Sequence, residues 1–243
     1  MKNTIITLVM LYLMVFPVYS AEFVLFDGSL NGGNDTLSDQ AFNLSGSSSY
    51  HSASGGISTY DTTGNNSIGF YYYKQLSQQL DRSTGVQLSF RMKVNNVIYH
   101  QDRSGLYMTF TTKDSYGIFF SFYNNGVAAQ NNNSTYTWGE SSTYSNQKFI
   151  DYDVKVLGTG YTLYADGEQI LTGSLRNPVH HNWPNAASPN SVMMGDGTSW
   201  SGASISFTKV SVYDTIPTTV SVPEPANIFL FATVLIAVFV YKK

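Results

Sequence analysis

Val86, Leu88, Phe90, Met92 and Val94 alternate with Gln87, Ser89, Arg91 and Lys93. A two-residue period sends one set of side chains to one face of an extended chain and the other set to the opposite face. This segment therefore demands a strand with one buried and one wet surface. The same pattern recurs at Leu106-Tyr107-Met108-Thr109-Phe110 and at Tyr152, Val154 and Val156, which alternate with Asp151, Asp153 and Lys155. Ile118-Phe119-Phe120-Ser121-Phe122 is apolar on both faces and reads as a central strand. Ile205 and Phe207 face one way, and Val210 and Val212 continue in the opposite register, so a β-bulge is expected near Thr208-Lys209. An early strand pair is expected at 22–26 and 67–73. Only 74–81 offers a helical turn or two. Polar stretches at 45–56, 124–134 and 176–190 read as loops. The expected fold class is all-β.

Both ends of the chain are apolar. Lys2 precedes an apolar run at 5–16, and Val18-Tyr19-Ser20 supplies compact residues before Ala21. This is the layout of a signal peptide, with cleavage expected between Ser20 and Ala21 and an uncleaved anchor as the alternative. At the other end, 226–241 carries only Asn227 and Thr233 as plainly polar residues. At about 1.5 Å per residue that run reaches roughly 24 Å, close enough to a ~30 Å hydrocarbon core for tilt, thinning and snorkelling lysines to adjust. A buried core helix would show a polar stripe, and this run shows none. Val222-Pro223-Glu224-Pro225, the apolar run and the terminal Lys242-Lys243 together resemble the PEP-CTERM sorting signal of Gram-negative bacteria. The alternative is a chance Pro-Glu-Pro before a plain anchor. The resemblance implies recognition of Val222, Pro223, Glu224 and Pro225 by an exosortase-type enzyme, and an association with exopolysaccharide or biofilm. It further implies export through the inner membrane, anchoring in the membrane before processing, and a final place on the cell surface or in the extracellular matrix. The chain then divides into a signal peptide (1–20), a β-sandwich domain (21–214), a Thr/Ser/Pro tether (215–221) and the sorting signal (222–243) with its transmembrane helix at 226–241.

The body has no cysteine, so its core must hold it without disulfides. A net charge of −3 with 12% charged residues excludes the basic footprint of a nucleic-acid binder. Aromatics at 15% favour packed sheets over disorder.

Tyr161-Thr162-Leu163-Tyr164-Ala165-Asp166-Gly167-Glu168-Gln169-Ile170-Leu171 is the sharpest hairpin, with Asp166-Gly167 suited to the positive φ angles of a two-residue type I′ turn. Before it lies the strand at 152–157. After it come Val192-Met193-Met194-Gly195-Asp196-Gly197 and the strand ending at Tyr213. That order, over 148–214, resembles the C-terminal half of concanavalin A-like, laminin-G-like jelly rolls, which implies a jelly-roll β-sandwich. The fold hosts lectins, hydrolases and structural modules alike.

No catalytic motif is present. Sandwich glycosidases of the laminarinase type use Glu-x-Asp-x-Glu along one strand, and the nearest approach here is Asp151-Tyr152-Asp153, expected to point outward. His180-His181 reads as loop decoration. Asp196 is the one candidate oxygen donor for a Ca²⁺, and one carboxylate does not make a site; no other metal or cofactor is expected. Sugar binding is the sharper expectation. Aromatic faces stack on pyranose rings while amides and hydroxyls bond their hydroxyls. Tyr136, Trp138 and Asn131 sit together in a polar stretch, and Trp183 and Trp200 lie in later loops. The expected role is a non-catalytic, lectin-like surface module binding polysaccharide. The alternatives are a polysaccharide-active enzyme (glycoside hydrolase or lyase) on the same fold and a ligand-free structural matrix protein.

Overall fold

The alternating segment forms the longest of the described strands, Val86–Ile98, with Val86, Leu88, Phe90, Met92 and Val94 all buried. The computed structural model describes residues 20–40, 42–64, 69–98, 106–131, 137–176, 188–196 and 201–217, which carry fifteen strands and no α-helix. The first five strands are β1 (Glu22–Asp27), β2 (Asn43–Ser45), β3 (His51–Ser54), β4 (Ile57–Asp61) and β5 (Phe70–Gln75). The middle five are β6 (Val86–Ile98), β7 (Leu106–Thr111), β8 (Gly117–Tyr123), β9 (Gly126–Gln130) and β10 (Trp138–Thr143). The last five are β11 (Ile150–Leu157), β12 (Gly160–Ala165), β13 (Glu168–Ser174), β14 (Ser191–Asp196) and β15 (Gly202–Tyr213). No helix among the described residues is long and apolar enough to cross a membrane. The apolar ends, 1–19 and 226–241, and the Pro-Glu-Pro motif lie outside the described residues.

The strands form two antiparallel sheets. Sheet A has the order β13-β12-β11-β6-β15-β4-β3, with β1 also paired to β15. Sheet B has the order β10-β9-β8-β7-β14-β5-β2. β15 serves two neighbours along one edge: Ser204 to Phe207 pair with β4, and Lys209 to Tyr213 pair with β1. The register against β6 shifts between Phe207 and Lys209, where the slip was expected. The bulge at Thr208 turns Ile205, Phe207, Val210 and Val212 all into the core.

The two sheets meet through aromatic rings. Phe90 of β6 and Tyr152 of β11 pack on Phe122 of β8 at 6.1 and 5.4 Å between centroids. Tyr161 of β12 meets Phe120 at 5.4 Å, and Tyr60 of β4 meets Phe70 of β5 at 5.3 Å. Each fully buried ring contributes roughly 1.5–3 kcal/mol from area alone, plus the gain of edge-on geometry.

Three features depart from the sequence reading. The segments 22–26 and 67–73 do not pair with each other; β1 lies on β15 in sheet A and β5 lies in sheet B. Residues 74–81 form no helical turn. Leu76 and Leu80 are drawn into the core, and their N–H groups donate to the carbonyl and side-chain oxygens of Asn190, at 2.7 and 2.9 Å. Those bonds replace the helical ladder. The polar stretches 45–56 and 124–134 hold β3 and β9. β9 is buried on both faces, so Val127, Ala128 and Ala129 show no alternation.

The Asp166-Gly167 turn has φ of +49° and +82°, as the hairpin demands. A Cβ at Gly167 would meet nothing within 4 Å, so only backbone strain opposes a side chain there. Gly167→Ala should cost about 1 kcal/mol in chemical denaturation, with no change in the slope of the transition.

Candidate functional site

The face of sheet B turned away from the core carries the molecule's second apolar cluster, Tyr107, Phe119 and Met193. Tyr123, at the end of β8, follows Phe119 and Ser121 in the same alternation. β10 pairs Ser141 with Ala128 and Trp138 with Gln130, which leaves one extra residue on β10. That bulge returns Trp138 to the outward set of side chains. Trp138 is 42% exposed, and its ring lies 4.9 Å from that of Tyr123 at an interplanar angle of 54°.

The two rings line a cavity of roughly 360 Å³. Its walls are Tyr123, the Asn124-Asn125 turn, Gly126, Val127 and Ala128 of β9, and Trp138, Ser141, Ser142 and Thr143 of β10. Gly126 is required by the approach of the neighbouring strand, because a Cβ there would sit 2.8 Å from the Ser142 carbonyl oxygen. The lining is two aromatic rings with amides and hydroxyls around them, within the size range of small-molecule sites.

The turn that forms one wall is held from behind. Asn146, 1% exposed, donates from Nδ2 to the carbonyls of Tyr123 (2.6 Å) and Gly126 (2.8 Å). Its Oδ1 accepts from the Tyr152 hydroxyl at 2.7 Å, and its N–H donates to the Asn124 carbonyl at 3.2 Å. Asn124 Oδ1 in turn accepts from the Val97 N–H at 2.9 Å. Both Nδ2 hydrogens, the Oδ1 and the backbone N–H of Asn146 are engaged, so the wall is set before any ligand arrives.

Of the residues singled out in the sequence, Trp138 lines this cavity. Asn131 is next to it but acts as a brace: its Nδ2 donates to the Trp138 carbonyl at 3.0 Å and its N–H to the Thr137 carbonyl at 2.7 Å. Tyr136, Trp183 and Trp200 lie outside the described residues, as do His180 and His181. The sequence reading passed over Tyr123, Asn124, Asn125, Ser141, Ser142 and Thr143. The Asn-Asn pair between an apolar strand and Gly126 was the available turn signal.

The carboxylates are engaged elsewhere. Asp151 pairs with Arg91 at 2.5 Å, and Asp153 accepts from Ser89 (2.5 Å) and Gln87 (2.8 Å), on the outward face of sheet A as expected. Asp196 is fully buried and accepts from the Thr62 hydroxyl at 2.8 Å. Burial first, and Asp196 nearby second, push the Tyr60 phenol well above its ordinary value. No group of three His, Cys, Asp or Glu side chains among the described residues could hold a metal ion.

Glu140 of β10 ties the edge of sheet B to the end of β13 by pairing with Arg176, and it accepts from the Tyr161 hydroxyl at 3.3 Å. Partial burial pushes its carboxyl up, but the hydrogen bond and charge of Arg176 outweigh this and hold it below its ordinary value of 4.5. A depressed folded-state value adds stability above the unfolded value, and that stability is lost as pH falls through the folded one. Glu140→Gln should therefore lower stability near neutrality by at most about 1 kcal/mol, since the pair is partly exposed. The gap from wild type should begin to narrow as pH falls below the ordinary carboxyl value of 4.5 and close beneath the lower folded-state one.

The class of molecule is a two-sheet antiparallel β-sandwich with an aromatic cavity at the rim of one sheet. No known family model and no curated protein sequence matches the chain. Solved structures share the fold. The carbohydrate esterase vb_24B_21 from Shiga toxin-encoding bacteriophage phi24B aligns with TM-score 0.59 and 11% identity, over 81% of this chain and all (100%) of that one. The binding domain of botulinum neurotoxin DC, solved with rat synaptotagmin II, gives 0.52 and 10%, over 81% and 49%. A point-mutant carbohydrate recognition domain of Emp46p gives 0.51 and 10%, over 80% and 97%. At such identities the likeness is one of fold.

Proposed function

We propose that this chain is an exported bacterial surface protein whose concanavalin A-like jelly roll binds polysaccharide without cleaving it. The observation that carries the reading is the Trp138–Tyr123 ring pair lining a preformed cavity walled by amides and hydroxyls. Exposed rings offer stacking surface to the apolar face of a pyranose, and the flanking groups match its hydroxyls. Neighbours described as carbohydrate recognition domains and as a carbohydrate esterase share this fold, which adds support. The test is direct: affinity electrophoresis and calorimetry of the protein against a panel of polysaccharides, with no binding to any of them as the contrary result.

The esterase neighbour motivates the second reading, a polysaccharide-active enzyme. Against it, Asp151 and Asp153 are each held by partners on the outward face of sheet A, away from the cavity. Release of acetate or reducing ends from the same panel would favour the enzyme.

Export and sorting rest on the sequence. The scissile bond of the signal-peptide reading, Ser20–Ala21, leads directly into β1, and the Ala21 N–H donates to Asp214 at 3.1 Å. Hydrolysis there would leave an ammonium group beside that carboxylate, at the point where the tether to Val222-Pro223-Glu224-Pro225 departs. An exosortase-type enzyme is the partner proposed for that motif and the membrane the site of its handling. N-terminal sequencing should return Ala21, and mass spectrometry should show loss of Lys243 from the surface-localised form.

A further inference from the structure

We infer that the Trp138–Tyr123 cavity selects neutral glycans and rejects those bearing carboxylate or sulfate groups; this rests on the sugar-binding reading above. The selection comes from what the walls contain. The described lining residues are Tyr123 and Trp138, two asparagines, three hydroxyl residues, and Gly126, Val127 and Ala128 of β9, and none of them is charged. The one charged residue of β10, Glu140, pairs with Arg176 and so presents no unbalanced charge at the site. An acidic sugar entering such a cavity gives up water, and the lining offers no guanidinium or ammonium in exchange, the nearby Arg176 being already paired with Glu140. A buried, unpaired carboxylate is strongly disfavoured. Anion sites are built from Arg, Lys or helix N-termini, and the described residues contain no α-helix. A neutral hydroxyl meets the opposite situation, because amide and hydroxyl groups exchange hydrogen bonds with it as water does. The chain's net charge of −3 adds a weak long-range repulsion toward polyanions.

The two rings narrow the class further. At 54° they are too far from coplanar for both to lie flat on one face of a single ring. One pyranose stacks on the exposed Trp138 while Tyr123 borders the next unit or its edge. This geometry favours a chain of linked sugars over a lone monosaccharide.

The test uses the full-length protein and two sets of oligosaccharides of equal length. One set is neutral (gluco-, xylo- and manno-oligosaccharides) and the other acidic (oligogalacturonates and alginate oligomers). Tryptophan fluorescence and calorimetry are read at low and at moderate salt. Neutral oligomers should bind about tenfold or more tighter than acidic ones, with affinity unchanged between ~50 and ~200 mM salt. Ser141, paired with Ala128, lies on the same outward face of sheet B as Tyr123 and Trp138, and Ser141→Lys should raise affinity for the acidic set several-fold and make it fall with salt. Acidic oligomers binding the wild type as tightly as neutral ones, or affinity for the neutral set falling with salt, would overturn the selectivity while leaving sugar binding intact. Binding of neither set overturns the sugar-binding reading and the selectivity with it.

Discussion

Trp138→Ala should abolish most polysaccharide binding while leaving the fold in place. The ring is 42% exposed at the start of an edge strand, so its removal opens no core void. Its partner contact with Tyr123 lies on the outer face of sheet B, away from the core rings that hold the sheets together. Truncation should therefore change stability by about 1 kcal/mol or less. For binding the arithmetic is reversed. An aromatic anchor at the centre of a site commonly contributes about 2 kcal/mol or more, roughly 30-fold in affinity. Affinity electrophoresis should show the variant migrating as it does in a sugar-free gel, with a melting curve close to wild type. A large fall in melting temperature with retained binding would invert this assignment and make Trp138 a packing residue.

Asn146→Ala should damage both properties together, and stability the more. The side chain is 1% exposed and joins the Tyr123 and Gly126 carbonyls to the Tyr152 hydroxyl. Alanine leaves two carbonyls and one buried phenol short of a partner. Each orphaned group costs roughly 1–3 kcal/mol, reduced where a water can enter, so a net loss of about 3 kcal/mol is expected. For a domain of this size that lowers the melting temperature by roughly 6–12 °C. The same change frees the Asn124-Asn125 turn, so affinity should fall well below melting, by about tenfold. Tyr152→Phe is the graded comparison. It removes one hydrogen bond and keeps the ring stacked 5.1 Å from Phe90, so about 1 kcal/mol should be lost and binding nearly retained.

Much of the fold could be read from the sequence because burial on one face leaves a mark on every second residue. β6, β11 and the bulged β15 carry that mark, and the Asp166-Gly167 turn carries its own chemistry. β9 leaves no such mark: Gly126-Val127-Ala128-Ala129-Gln130 is buried on both sides and is built from small residues with modest strand preference. β10 escaped for the opposite reason, being polar throughout after Trp138. Residues 74–81 misled because Leu76 and Leu80 have helical spacing, while a residue far along the chain, Asn190, takes up their N–H groups. The candidate site was only partly legible on similar grounds. A tryptophan in a polar stretch draws attention to itself, as Trp138 did. Tyr123, Asn124, Asn125 and Ser141 to Thr143 are ordinary turn and edge residues until the pairing of β8, β9 and β10 brings them to one rim. Nothing local marks Asn146 as the residue that sets that rim, since its side-chain partners are 6 to 23 positions away.

A crystal structure of the protein grown with a neutral hexasaccharide puts the proposed site to its most direct trial. Density for a pyranose stacked on Trp138, with neighbouring units bordered by Tyr123 and by Ser141 to Thr143, is the predicted outcome. A well-ordered sugar bound on another face, with the Trp138 cavity left to solvent, would contradict it.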